Sequence, residues 1–112
     1  MITTIVGIPV TDEVVENYLS ALVNRFFKIL PLREAEDATL PIYIQSLQSE
    51  MMGCKVFVEE LGNTPEFLSL LSILQFLRDN SNCSVKIVKR EVFKTINICG
   101  KLKKSYSKEV PV

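Results

Sequence analysis

Residues 64–104 read TPEFLSLLSILQFLRDNSNCSVKIVKREVFKTINICGKLKK, and this stretch decides the fold class. Thr64-Pro65 is a helix start: a hydroxyl that caps the first free amides, then a proline at the helical position where a missing N–H does least harm. From there Phe67, Leu68, Leu70, Leu71, Ile73, Leu74, Phe76 and Leu77 leave almost no polar face. The pattern predicts a helix over 65–78 that is either the buried centre of a bundle or a helix showing one side to a partner. Asp79-Asn80-Ser81-Asn82 is a turn cluster. Ser84 then caps a basic helix over 85–104, with Val85, Val88, Val92, Ile96, Cys99 and Leu102 as its apolar stripe.

The preceding residues repeat this logic. Thr11 caps a helix over 12–30, and Asp12 and Glu13 place negative charge where the helix dipole favours it. Its apolar residues, from Val14 and Val15 to Ile29 and Leu30, recur every three or four positions, and Pro31 is expected to stop it. Residues 31–38 read as a polar, acidic connector. A helix then starts at Thr39, with Pro41 in its first turn. Leu40, Ile44, Leu47, Met51, Cys54, Val58 and Leu61 form a heptad-like seam, and Gly62-Asn63 is expected to end the helix in a left-handed conformation. Gly53 and Gly100 lie inside helices, where glycine costs about 1 kcal/mol relative to alanine. Close helix approach and a mild kink both explain them.

These signals predict an all-α fold: a small antiparallel bundle of about four helices over residues 12–104. An N-terminal arm (1–11) precedes it and a flexible basic tail (105–112) follows. The expected core is Leu19, Leu22, Phe26, Leu47, Met51, Val58, Leu70, Leu71, Leu74, Val88, Val92 and Ile96. Ile2, Ile5, Val6, Ile8 and Val10 suit a strand, but every other apolar run reads as helical. An extended arm docked on the bundle or on another copy is therefore expected. With 112 residues and 47% hydrophobic composition the chain suits a single domain. No run reaches the roughly 20 apolar residues of a membrane span, and the N-terminus lacks a basic signal-peptide region. The expected compartment is the cytoplasm, with no membrane partner.

Histidine is absent, which removes Ser-His and Cys-His catalysis and the commonest metal ligand. Cys54 and Cys99 fall on apolar stripes and read as core; Cys83 reads as an incidental loop thiol. Glu59-Glu60 and Glu34-Glu36-Asp37 lack calcium-loop or di-iron spacing and read as solvated surface. The isolated glycines form no phosphate loop. No cofactor, no metal and no enzymatic activity are expected.

Charge is the remaining signal. Net charge is zero, yet residues 1–80 hold eleven acids and five bases, and residues 81–112 hold eight bases and two acids. Either the basic helix neutralises acidic neighbours within the bundle, or it meets a polyanion. Lys86, Lys89 or Arg90, and Lys94 share a helical side, and Lys101, Lys103, Lys104 and Lys108 continue the charge, with Tyr106 among them. The expected function is a non-catalytic protein-interaction module: accessory, regulatory or inhibitory, binding another protein or itself. The alternative is sequence-nonspecific nucleic-acid binding through these cations. Pairing of Glu16, Glu50, Glu59 or Glu60 with the lysines would make the patch internal compensation, whereas exposed leucine and phenylalanine on the 65–78 helix would mark a protein interface. In size and helicity alone, the chain is similar to small helical accessory subunits and inhibitor proteins of bacteria, phages and mobile elements. That likeness carries over no residue and no activity.

Overall fold

A computed structural model describes residues 2–3, 9–80 and 82–106. Its elements are β1 (Ile2–Thr3), β2 (Pro9–Val10), α1 (Asp12–Phe27), α2 (Ile29–Glu34), α3 (Leu40–Phe57), α4 (Glu59–Gly62), α5 (Pro65–Asp79) and α6 (Val85–Tyr106). The chain is thus mostly helical. α6 packs against α1, α2 and α5, and α5 packs against α3. α1 and α3 are joined by Tyr43, whose hydroxyl donates to the Arg25 carbonyl at 2.8 Å, and by an Arg25–Glu50 ion pair.

The helix starts follow from local caps. Thr11 Oγ1 accepts from the Val14 amide at 3.2 Å, Thr64 Oγ1 from Phe67 at 3.2 Å, and Ser84 Oγ from Ile87 at 3.3 Å. Each satisfies an amide that has no partner within the first turn. At α3, Asp37 accepts from both the amide and the hydroxyl of Thr39 (2.8 and 2.6 Å), and Pro41 occupies the first turn.

Pro31 does not stop the first helix. It divides it: α1 ends at Phe27 and α2 resumes at Ile29, carrying Pro31 in its first turn. A proline ring clashes with the carbonyl four residues earlier and offers it no N–H, and that carbonyl belongs to Phe27. The supposed connector over 31–38 is therefore helical as far as Glu34, and Ile29 is buried in the core.

The heptad seam of α3 also breaks early. The helix ends at Phe57, Val58 is non-helical (φ −113°, ψ 78°), and α4 is a separate turn. Gly62 and Asn63 do not end the helix in a left-handed conformation; Asn63 has φ −95°. Gly62 serves close approach instead, since a Cβ there would lie 2.5 Å from both Cα and O of Lys55. The N-terminal segment, expected as an arm without a strand partner, pairs with itself: Ile2 opposes Val10 and Thr3 opposes Pro9, antiparallel, and β1 lies against α4. Ile5, Val6, Ile8 and most of the 105–112 tail fall outside the described residues; Ser105 and Tyr106 belong to α6.

The core unites Val15, Leu19, Leu22 and Phe26 of α1 with Leu40, Ile44, Leu47 and Met51 of α3. Ile29 of α2, Leu61 of α4, Phe67, Leu70, Leu74 and Leu77 of α5 and Val88, Val92, Cys99 and Leu102 of α6 complete it. Three expected core residues, Val58, Leu71 and Ile96, are only half-buried. Val58 sits at the α3–α4 break. Ile96 yields its place because α6 turns Glu91 and Thr95 inward instead. The Thr95 hydroxyl is satisfied locally by the Val92 carbonyl.

Candidate functional site

α6 positions the basic residues. With Val88, Val92, Cys99 and Leu102 packed inward, the helical repeat sends Lys86, Lys89, Arg90, Lys94, Lys101 and Lys104 to the opposite side, where all six are exposed. At 1.5 Å per residue the face from Lys86 to Lys104 runs about 27 Å. Lys103 stands apart from them. It is half-buried at the edge of the helix, close enough to Cys99 to act on its thiol.

None of Glu16, Glu50, Glu59 and Glu60 reaches these cations: Glu50 pairs with Arg25 on α1, and the described ion pairs of α6 all end on its own Glu91. Lys94 Nζ lies 2.9 Å from Glu91 Oε2, and Arg90 Nε lies 3.7 Å from the same oxygen. Neither contact is aligned as a hydrogen bond to that buried atom. Glu91 therefore partly neutralises the middle of the face. Among the described residues, Lys86, Lys89, Lys101 and Lys104 make no ion pair.

Two aromatic residues join the face that charge counting missed. The exposed Phe93 ring sits among the cations, with Lys89 Nζ 6.0 Å from its centroid. Phe27, at the end of α1, meets it edge-on with centroids 6.0 Å apart and planes at 88°. The available signal was that Phe93 lies off the buried three-four repeat of α6 while keeping lysine neighbours. An exposed aromatic beside unpaired cations can stack on a base while the cations follow the backbone.

The remaining polar features are less suited to chemistry. A cleft of about 360 Å³ brings Arg33, Glu36 and Asp37 together at the α2–α3 turn. Glu36 there takes a positive φ of 51°. Asp37 is already engaged by Thr39, whose hydroxyl and amide hold its carboxyl below the usual range. The Arg33 guanidinium donates to the Cys83 carbonyl from Nε (3.2 Å) and Nη2 (2.9 Å), tying α2 to the loop before α6. A wholly apolar cavity of about 190 Å³ lies between β2, α1 and the α3–α4 corner. Tyr18 and Cys54 stand in its wall, and burial pushes both the phenol and the thiol up. Burial likewise pushes the Cys99 thiol up to about 11, with Lys103 drawing it partly back. Both thiols stay protonated near neutral pH, the unreactive form. Among the described residues no cluster of three or more cysteine or carboxylate groups is placed to hold a metal ion, and no helix is long and apolar enough to cross a membrane.

No protein-family model, no curated protein and no solved structure matches the chain.

Proposed function

We propose that this protein is a non-catalytic binding module whose working surface is the outer face of α6, and that this face docks on single-stranded nucleic acid without reading its sequence. The reading takes the scaffold as a helical bundle that presents one long helix edge to the partner. One observation carries it: the acids of the other helices leave the α6 cations unpaired, so the positive face is not spent on internal compensation. The face is rich in lysine, and Arg90, its single guanidinium, is drawn toward Glu91. Lysine is a flexible point charge that suits phosphate better than base edges. Phe93 adds a stacking platform that accepts any base.

Fluorescence anisotropy of a labelled oligothymidylate across a salt series tests this. Four to six phosphates neutralised predict a log–log salt slope of about −3 to −4. Glutamate at Lys86, Lys89, Arg90 and Lys94 should abolish binding while leaving the helical circular dichroism unchanged, because all four are exposed. Phe93→Ala should weaken binding by about 1–3 kcal/mol with little change in slope. Glu91→Gln should strengthen it by freeing Lys94 and Arg90. No binding at low salt, or binding indifferent to the four reversals, refutes the proposal.

A second reading, an accessory or regulatory module that docks on another protein, is favoured by a different observation. α5 buries Phe67, Leu70, Leu74 and Leu77 but leaves Leu68 and Phe76 exposed. A helix predicted to be apolar nearly all round thus shows part of its apolar surface outward.

A further inference from the structure

α3 has two apolar sides, and only one is used inside the chain. Leu40, Ile44, Leu47 and Met51 are buried, while Ile42, Met52 and Val56 are 66%, 47% and 59% exposed. At 100° per residue Ile42 and Val56 lie opposite the buried seam, and Met52 lies between the seam and that outer face. Between them the outer face holds Gln45, Ser49 and Gly53, all exposed and all uncharged. The charged residues of α3 lie off this face: Glu50 is held by Arg25 of α1, and Lys55 backs onto Gly62. Gly53 has no packing reason within the chain, since a Cβ there would meet nothing within 4 Å.

We infer that this face pairs with the same face of a second copy, α3 against α3, antiparallel about a two-fold axis at Ser49. The sequence of the face is complementary to itself in that arrangement. The axis sets Ile42 against Val56 of the partner at both ends, Met52 beside the methylenes of Gln45, and Gly53 beside the small Ser46. Ser49 meets its own copy. Small residues thus meet small residues in the middle, where Ser46, Ser49 and Gly53 let the backbones approach. A two-fold contact of this kind satisfies both copies at once and closes on itself. A neutral face also carries no charge that would repel its copy, which an acidic or basic face would.

The neighbouring helix widens the contact. Gln48 Nε2 donates to Gln75 Oε1 (2.7 Å) and Arg78 Nη1 to Gln48 Oε1 (3.1 Å) across the exposed side of the α3–α5 seam. The exposed sides of the two helices therefore adjoin along this seam, and α5 leaves Leu68 and Phe76 exposed as well. The 18 residues of α3 make a surface about 27 Å long, and two helices side by side about 20 Å wide. That gives roughly 500 Å² per protomer and roughly 1,000 Å² in all, just under the standard range for stable complexes. The dimer should accordingly be weak and concentration-dependent.

The test is independent of nucleic-acid binding. Sedimentation equilibrium of the full chain, from dilute to near-millimolar, should show a reversible monomer–dimer equilibrium. Ile42→Glu with Val56→Glu should raise the dissociation constant by about tenfold or more, since symmetry puts each carboxylate into the contact twice. Both positions are exposed, so the monomer fold, read by circular dichroism, is unchanged. Ser49→Cys should form a disulfide-linked dimer under mild oxidation, well above the background of the native chain and above Asn97→Cys on the outer face of α6. A chain that stays monomeric throughout overturns the inference. So does a dimer unaffected by the double substitution, or cross-linking at position 97 equal to that at position 49.

Discussion

Replacing each of the helical glycines Gly53, Gly62 and Gly100 by alanine puts one methyl group into two kinds of surroundings, and the structure predicts opposite signs for them. At Gly62 the new Cβ would stand 2.5 Å from Lys55 Cα and Lys55 O, both backbone atoms. A rotamer change cannot relieve that contact; α4 must move off the end of α3. Forced overpacking of this kind costs about 1–3 kcal/mol. At Gly53 and Gly100 the methyl would meet nothing within 4 Å, and alanine gains the helix preference that glycine lacks, up to about 1 kcal/mol at each. The variants should therefore bracket the native chain over about 2–4 kcal/mol. With a urea dependence of about 1–3 kcal/mol per molar for a domain of this size, the midpoints of Gly62→Ala and Gly53→Ala should differ by about 1 M or more. Urea unfolding in dilute protein, followed by circular dichroism, isolates the monomer from any association through α3. A Gly62→Ala chain as stable as the native one would refute the close-approach account of the α3–α4 corner. A destabilised Gly53→Ala monomer would mean that Gly53 is packed within the chain after all.

Two other outcomes follow from burial. Leu74→Ala, at a fully buried position, should cost about 2–5 kcal/mol, and Leu68→Ala on the same helix should cost less than about 0.5 kcal/mol; equal losses would mean that α5 faces the core differently. The alkaline limb of stability should be steep: the Cys99 thiol, raised to about 11 in the fold from an ordinary value of 9.0, contributes stability that is whole below pH 9 and is lost as the pH climbs toward 11, because the unfolded chain ionises first. Urea midpoints at pH 8 and above should fall more slowly in Cys99→Ala than in the native chain, each relative to its own neutral-pH value, and parallel curves would exclude the thiol as a source of that loss.

The helix starts were legible in the sequence because a cap is a local event. Thr11, Thr64 and Ser84 each bond an amide three residues on, so residue identity over one turn suffices. The inward stripes of α1 and α5 were legible for a related reason: their leucines and phenylalanines repeat at helical spacing and leave few alternative rotations. Pro31 and Gly62 were visible as well, but their consequences depend on geometry one step removed. The proline acts on the carbonyl of Phe27, and the glycine accommodates the backbone of Lys55. The pairing of Ile2–Thr3 with Pro9–Val10 is not legible in apolar patterning, because strands of two residues leave no repeat to read.

At the candidate site, the sequence placed a run of cations on one helix and most of the acids elsewhere, and it holds no histidine. It left open whether those charges meet. Pairing depends on interhelical distances of a few ångströms, which periodicity along one helix does not encode. Tertiary packing decided it by joining Glu50 to Arg25 and turning Glu91 inward beneath Lys94, so that Lys86, Lys89, Lys101 and Lys104 have no acidic partner among the described residues. It likewise brought Phe27 to Phe93 from opposite ends of the chain. A residue's place along its own helix follows from local chemistry, whereas the residues that face it across the fold follow from how the helices rotate and pack against one another.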